Sequence, residues 1–281
     1  MASKRQDPLF LQGLNDQQRL AVEHGDDPLL IVAGAGTGKT KTLVHRVAQL
    51  IARGIDPARI LLMTFTRRAA QEMLGRVEGL LNKSNHSGDG STRQVWGGTF
   101  HATATRLLRI HGEDVGLSTG FIIHDRSDSE DFIDVLRTEL GFDRSQARFP
   151  KKGTCFAIHS NCVNSQRPLK QVLADHFPWC ASYEEELQEL FRLYGESKDQ
   201  SSVLDYDDLL LFFRGLLAND AGALVRNRFD CVLVDEYQDT NRLQADIVHL
   251  LRPDGRGLTA VGDDAQSIYS FRAASVRNII E

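Results

Sequence analysis

The sequence has few of the features that mark membrane or secreted proteins. No apolar run in its 281 residues approaches the roughly 18 residues that a membrane-spanning helix needs. The polar start at residues 1–7 does not resemble a signal peptide. We therefore expect no membrane contact and a cytoplasmic location.

Cysteine is also scarce. The four cysteines are Cys155, Cys162, Cys180 and Cys231. None forms a C-x-x-C pair, and a cytoplasmic setting favours reduced thiols. Three of them, with His159 and His176, give C-x3-H-x2-C-x13-H-x3-C, which superficially offers zinc ligands. The spacing matches no common zinc module, and the first three positions fall at helical intervals, so the sequence favours core residues over a metal site.

An excess of positive charge is absent as well. Lysine and arginine number 33 against 38 aspartates and glutamates, which gives a net charge of -5. Any contact with nucleic acid must therefore come from a local patch. With 41% hydrophobic and 25% charged residues, the chain can bury a full core and is typical of an α/β protein of one or two domains.

The most informative stretch is a glycine-rich loop, AGAGTGKT at residues 33–40. It follows the apolar run at residues 29–32 and precedes a helix-period segment. A strand that stops at such a loop and restarts as a helix directs backbone N–H groups at one point, which suits a polyphosphate. Within it, Lys39 suits the β- and γ-phosphates and Thr40 suits Mg²⁺, whereas Ala33 replaces the glycine of the strict pattern. The predicted nucleotide-binding residues are Gly34, Ala35, Gly36, Thr37, Gly38, Lys39 and Thr40.

A helix is predicted to begin just before this loop. Asn15 is suited to be its N-cap, and Gln18, three residues later, completes a capping box. From the residues alone, capping is favoured for Gln18 over a contact with nucleotide, and both interpretations stay open.

Further apolar runs predict the other strands, at residues 60–63, 94–98, 229–234 and 258–262. The strand–helix–strand order at the start of the chain predicts a parallel sheet that is buried on both faces. Ligands of such sheets collect at the carboxyl ends of the strands. The residues that follow each strand are therefore the candidates for function.

Two acids, Asp235 and Glu236, follow one of these strands. In a site that hydrolyses nucleotides, one carboxylate holds Mg²⁺ and the next orients and deprotonates the attacking water. Lys39 precedes Asp235 by 196 positions (235 − 39), so only a sheet that closes over an insertion can bring them together. The alternative is that both acids merely occupy a helix N-terminus, where they are favoured.

Residues 101–216 have the period of helices without intervening strands. We predict a helical insertion here, which interrupts a sheet built from residues 1–100 and 217–281. One of its helices is predicted to begin with a capping box of Ser127 and Glu130. Its basic residues could flank a phosphate backbone or be scattered solvated charges. They are Arg144, Arg148, Lys151, Lys152, Arg167 and Lys170.

Six blocks now stand in order: AGAGTGKT, TFTRRAAQEM, GTFH, LDYDDLL, VDEYQDTN and GDDAQSIYSFR. Together they closely resemble the N-terminal half of the UvrD/Rep/PcrA type of superfamily 1 DNA helicases, from Leu14 to the last residue. The resemblance implies an α/β fold, with a RecA-like P-loop NTPase parallel sheet flanked by helices and an inserted all-helical subdomain. Subdomain 1A would comprise residues 1–100 and 217–281, and subdomain 1B residues 101–216.

The resemblance also implies a role for each matching residue of the ATP site. Gln18 is similar to the adenine-reading glutamine of the family, which reverses the preference for capping. Lys39 and Thr40 resemble the phosphate and magnesium residues. Asp235 resembles the acid of the magnesium site, and Glu236 the catalytic base. ATP and Mg²⁺ are the implied cofactors.

For the DNA site, the resemblance implies a second set of residues. Gln266 resembles the γ-phosphate sensor that accompanies it. Phe271 stands where many members have tryptophan, so stacking should persist with a smaller π-face. Ala273 replaces a frequent glycine, and Arg67-Arg68 replaces a common Asn-Lys pair. The implied contacts to single-stranded DNA are Thr64, Phe65, Thr66, His101, Tyr269, Phe271 and Arg272.

The family continues past the position of Glu281 into a second RecA-like domain, whose arginines complete the ATP site. The resemblance implies that the parent protein translocates 3′ to 5′ on single-stranded DNA and unwinds duplexes and junctions, in DNA repair or replication restart. We expect these 281 residues alone to lack helicase activity. Two alternatives are a small-molecule P-loop kinase and a non-catalytic, nucleotide-gated DNA-binding module. The oligomeric state stays open.

Overall fold

A computed structural model describes residues 9–83, 94–142 and 149–263 of the chain. The strands are β1 (Leu29–Val32), β2 (Ile60–Thr64), β3 (Trp96–Thr99), β4 (Ile122–Ile123), β5 (Val203–Leu204), β6 (Cys231–Val234) and β7 (Leu258–Gly262). The helices are α1 (Asp16–Glu23), α2 (Lys39–Ala52), α3 (Arg67–Lys83), α4 (Phe100–His111), α5 (Arg126–Glu139), α6 (Lys152–Ser165), α7 (Leu169–His176), α8 (Glu184–Gln200), α9 (Tyr206–Ala218), α10 (Gly222–Arg228) and α11 (Arg242–Leu251). No helix in these three ranges is long and apolar enough to cross a membrane.

Five strands form one parallel sheet in the order β1-β7-β6-β2-β3. The predicted parallel sheet is therefore confirmed. Its register aligns the carboxyl ends, since Val32 pairs with Gly262, Val234 with Ala260, and Met63 with Val234. Every loop that leaves these strands consequently starts at the same edge of the sheet.

Both faces of the sheet are covered, as successive side chains of β2 illustrate. Ile60 and Leu62 pack with apolar side chains of α1, α2 and α3. Leu61 and Met63 pack with side chains of α4, α9, α10 and α11 on the other face. Side chains alternate across a strand, so a strand covered on both sides must be apolar throughout.

The helices α5 to α8 form a separate cluster, which contains Cys155 and Cys180. Within the described ranges, no three His, Cys, Asp or Glu side chains are grouped as metal ligands. The prediction of an all-helical insertion needs one addition, because β4 and β5 form a short parallel pair. The boundaries at residues 101 and 216 stay a prediction, and α4 and α9, which lie between them, share the core of the sheet.

Two predicted helix starts have different outcomes. The capping box of α1 forms as predicted, with Asn15 as N-cap and Gln18 as its partner. The predicted box of Ser127 and Glu130 is wrong, because Asp125 caps α5 and Asp128 closes the box. An aspartate that lies two residues earlier can accept the same kind of backbone N–H, so α5 begins before Ser127.

A buried arginine fixes α2 to its surroundings. The guanidinium of Arg46 is 2% exposed and donates to Thr259 Oγ1 of β7 at 2.8 Å. It also donates to the carbonyl oxygens of Ala21 at 2.9 Å and His24 at 3.0 Å, at the end of α1. Burial lowers the pKa of Arg46. The helix that follows the glycine-rich loop is thereby held against α1 and the sheet.

Candidate functional site

The glycine-rich loop joins β1 to α2 and leaves the start of α2 open. Gly38 is the N-cap, with φ 92° and ψ 28°, and no side chain in the described part of the chain caps this helix. That left-handed backbone favours glycine, and a Cβ at Gly38 would lie 2.7 Å from Gln18 Nε2. Lys39 and Thr40 are the first two residues of the helix. The free N–H groups of the first turn form an anion site.

Gln18 performs the capping role and also reaches the loop. Its Oε1 accepts from the backbone N–H of Asn15 at 3.1 Å, while its Nε2 donates to the carbonyl oxygen of Thr37 at 2.9 Å. The two interpretations of this residue are therefore compatible. A contact with adenine stays a prediction.

Lys39 is directed at the acids that follow the central strands. Its Nζ lies 3.3 Å from Asp263 Oδ2, and both side chains are buried. Asp263 directly follows β7, whereas Asp235 directly follows β6. Burial, and then the carboxylate of Glu236, raises the pKa of Asp235 to about 6, while the nearby Lys39 opposes that shift. Lys39 and Asp235 thus lie at the same edge of the sheet.

The acid after β6 has the surroundings of a cation ligand. Asp235 is 6% exposed, and its Oδ1 has no hydrogen-bond partner in the described part of the chain. Thr40, Asp235 and Glu236 line one cleft of about 430 Å³. A buried carboxylate oxygen without a partner, beside a hydroxyl, is a donor set that fits Mg²⁺. The residues present therefore fit the predicted metal.

Glu236 is held in an unusual backbone conformation. Its φ of 51° and ψ of 45° lie in the left-handed region, which costs a non-glycine residue energy and is common at functional sites. Gln238 donates from Nε2 to Glu236 Oε2 at 2.7 Å and accepts at Oε1 from the N–H of Asp263 at 2.9 Å. The sequence prediction missed Gln238, although it lies in the VDEYQDTN block.

The predicted DNA contacts after β2 differ in exposure. Thr64 is 1% exposed, and its hydroxyl donates to the carbonyl oxygen of Thr66 at 2.8 Å. Thr66 in turn accepts from the N–H of Ala69 at 3.1 Å, which anchors the first turn of α3. Phe65 lines the same cleft as Asp235. Thr64 therefore supports this corner from below, whereas Phe65 and Thr66 face the cleft.

His101 lies in the first turn of α4, next to an aromatic side chain that the sequence prediction missed. Its ring centroid is 5.7 Å from that of Tyr206, with an edge-to-face angle of 83°. Tyr206 is the first residue of α9 and is 44% exposed. An exposed ring beside His101 adds a second aromatic surface. The signal was present, because Tyr206 belongs to the LDYDDLL block.

Several predicted residues lie outside the described ranges. They are Gln266, Tyr269, Phe271, Arg272, Ala273, Arg144 and Arg148. Their roles stay predictions.

The blocks that carry these side chains match a known sequence profile. The profile of the UvrD/REP helicase N-terminal domain matches residues 14–281. The chain belongs to this family. With the parallel sheet and its flanking helices, membership of the UvrD/REP family confirms the predicted RecA-like α/β fold.

Relatives within the family are ATP-dependent DNA helicases by name. The ATP-dependent DNA helicase PcrA of Leuconostoc citreum is 37% identical over 273 residues, which cover 95% of this chain and 35% of that protein. UvrD1 of Mycobacterium bovis is 38% identical over 288 residues, with 96% and 35% covered. DNA helicase II of Escherichia coli is 37% identical over 273 residues, with 96% and 36% covered. The chain spans about a third of the length of these relatives.

Proposed function

We propose that this chain is the ATP-binding motor part of an ATP-dependent DNA helicase. The observation that carries the proposal is the position of Lys39 beside Asp235 and Glu236, at the edge where the strands end. Side chains from segments 196 positions apart would then act on one triphosphate. The names of the relatives support the same activity.

In the proposed mechanism, each side chain acts at a stated part of the nucleotide. Lys39 exchanges its contact with Asp263 for the β- and γ-phosphates. Thr40 and Asp235 hold Mg²⁺, which would neutralise charge that develops on the phosphate oxygens. Glu236, oriented by Gln238, accepts the proton of the attacking water. Both faces of the reacting phosphate are thereby served.

The proposal extends to further residues of the same edge. Gln18, already bonded to Thr37, reads adenine, and Gln266 senses the γ-phosphate. Single-stranded DNA contacts aromatic and polar side chains at the strand ends, where bases can stack. These are Thr64, Phe65, Thr66, His101, Tyr269, Phe271 and Arg272, with Tyr206 added from the geometry.

For the whole protein, we propose 3′ to 5′ translocation on single-stranded DNA and unwinding of duplexes and junctions, in repair or replication restart in the cytoplasm. Residues 1–100 and 217–281 would form subdomain 1A, and residues 101–216 subdomain 1B. Arginines of a second RecA-like domain would complete the ATP site. Such an arginine is worth on the order of 10³ to 10⁵ in rate, so the 281 residues alone should not unwind DNA.

Two substitutions in the protein at the length of its relatives test the proposal. Glu236→Gln should keep nucleotide binding and abolish turnover, because the amide cannot accept the proton. Lys39→Ala should weaken binding itself. Steady-state ATPase assays with and without single-stranded DNA, together with nucleotide titrations, separate the two effects.

The outcomes also separate the alternatives. An undiminished rate for Glu236→Gln would show that the base is assigned wrongly. Turnover that single-stranded DNA does not stimulate would favour a small-molecule kinase. Nucleotide-dependent DNA binding without any turnover would favour a non-catalytic module.

A further inference from the structure

Two hydrogen bonds join the segment after the acids to the helical insertion and to α9. Asn241, the N-cap of α11, donates from Nδ2 to Asn164 Oδ1 of α6 at 2.7 Å. Asn164 donates from Nδ2 to Asp207 Oδ1 of α9, also at 2.7 Å. Asn164 therefore connects two elements that do not follow each other in the sequence.

The orientation of each amide in this connection is fixed by its other bonds. Asn241 Oδ1 accepts from the N–H of Gln244 at 2.8 Å as the cap of α11, so its Nδ2 is left to face α6. The ionised carboxylate of Asp207 can only accept, so Asn164 must turn its Nδ2 toward it and its Oδ1 toward Asn241. A carboxylate at position 164 would repel Asp207, and an apolar side chain would bond to neither partner.

Burial makes these bonds consequential. Asn241 is 7% and Asp207 is 8% exposed, so neither side chain can easily exchange its partner for water. A buried polar group that loses its partner pays its full desolvation penalty. The ends of the connection should therefore move together.

Both ends lie next to proposed functional residues. Asn241 follows Glu236 by five positions (241 − 236), with one short 3-10 turn, Tyr237–Asp239, between them. Asp207 is the neighbour of Tyr206, whose ring contacts His101. The connection thus runs from the proposed catalytic base to the proposed DNA surface.

We infer that Asn164 is a positioning residue that couples nucleotide binding to binding of single-stranded DNA. This inference rests on the proposed function. The loop at Glu236 changes its position when nucleotide binds, and Asn241 transmits the change through Asn164 to the start of α9. Coupling of this kind is reciprocal, so DNA must alter nucleotide affinity by the same factor.

The experiment measures that factor directly in the purified chain. The dissociation constant of a fluorescent, non-hydrolysable ATP analogue with Mg²⁺ is determined with and without saturating oligodeoxythymidine. We expect the two constants of the wild-type chain to differ by about fivefold or more. Asn164→Leu should bring their ratio close to one, while each ligand alone binds within about twofold of wild type.

Two matched variants separate positioning from general damage to the fold. Asn161→Leu alters a side chain of the same helix that lies outside the connection, and should keep the wild-type ratio. Asp207→Asn keeps an acceptor for Asn164 and should keep it as well. Should Asn164→Leu fail to fold by circular dichroism, Asn164→Asp replaces it, because the carboxylate cannot donate to Asp207.

The two levels of failure are distinguishable. A wild-type chain whose nucleotide or DNA binding is undetectable, or is unaffected by Lys39→Ala, would contradict the proposed function, and the inference would fall with it. A wild-type chain that binds both ligands independently would contradict the inference alone. So would an Asn164→Leu variant with the wild-type ratio, or a loss of coupling in Asn161→Leu.

Discussion

At the scale of single residues, Gln18 combines two roles through the two ends of one amide. Its oxygen accepts from the backbone of Asn15 and completes the cap of α1. Its nitrogen donates to Thr37 in the glycine-rich loop. The side chain therefore fixes α1 and the loop relative to each other, and a substitution that preserves only one end can separate the roles.

Gln18→Glu is that substitution. Glutamate is as good as glutamine at this position of a capping box, so the free energy of unfolding should change by less than about 1 kcal/mol. The carboxylate cannot donate to Thr37 and adds negative charge beside the predicted phosphates. We expect nucleotide affinity to fall about tenfold, which corresponds to about 1.4 kcal/mol, in a fluorescence titration.

Gln17→Glu provides the matched control, since it adds the same charge one position earlier on α1. That variant should bind nucleotide nearly as well as wild type. Equal losses in the two variants would mean that charge alone, and not the bond to Thr37, explains the effect of Gln18→Glu.

At the scale of elements, the start of α9 is fixed to α8 by a buried cation. Lys198 Nζ lies 2.6 Å from Asp205 Oδ2 and 2.5 Å from Asp208 Oδ2. Asp205 is also the N-cap of α9, with Asp208 as its capping partner. Tyr194 adds a hydrogen bond to Asp205 at 2.9 Å. One ammonium group therefore neutralises two carboxylates that are removed from water.

Lys198→Met should destabilise the fold strongly. The variant keeps most of the side-chain volume but leaves two buried carboxylates without their counter-ion, which typically costs about 3–5 kcal/mol. Urea unfolding followed by circular dichroism measures the loss. Lys152→Met is the control, because Lys152 pairs with Asp131 at the exposed surface and its loss should have little effect. Similar midpoints for the two variants would contradict the assignment.

The elements also show which parts of the molecule the sequence can predict. The predicted bounds of β1 and β7 agree with the structure, since each is a short apolar run that ends at a sharp change of residue type. Local patterns are sufficient there. The cap of α5 was predicted wrongly because Asp125 and Ser127 are both competent caps, and local pattern does not choose between them.

Contacts across the fold are harder to foresee. The pair of Lys39 and Asp263 joins residues 224 positions apart, and nothing in either segment specifies the other. Tyr206 has an ordinary place in an apolar helix pattern, and only the packing of α9 leaves its ring exposed. Family resemblance supplied the residues at the ends of the strands, whereas their partners required the structure.

At the scale of the whole molecule, the insertion and the sheet meet at a buried acid. Asp207 belongs to α9, whose apolar side chains share the core of the sheet, and it accepts from Asn164 of the insertion. Burial, and then the charge of Asp205, raises the pKa of Asp207 to about 6, with Asp208 adding to the shift and Ser160 and Asn164 opposing it. Lys198 lies nearby but is bonded to Asp205 and Asp208. The stability of the molecule should therefore depend on pH at this contact.

The sign follows from the two states. The folded chain binds the proton of Asp207 more tightly than the unfolded chain, whose aspartates have a pKa of about 3.9. Protonation therefore stabilises the fold as the pH falls from about 6 toward 4, and this stabilisation is lost as the pH rises through 6. Asp207→Asn removes the dependence. The unfolding free energy of the variant minus that of wild type should rise by about 1–2 kcal/mol between pH 5 and pH 8.

Asp175→Asn separates this effect from the general influence of pH on an acidic protein. Its hydrogen bond with Arg167 lowers the pKa of Asp175, so this exposed carboxylate is ionised in both states from pH 5 to pH 8. The difference between this variant and wild type should stay flat over that interval. Because each comparison subtracts the wild-type curve, titration of the histidines cancels. A flat difference for Asp207→Asn as well would mean that water or a cation reaches the carboxylate and that the contact between insertion and sheet is open.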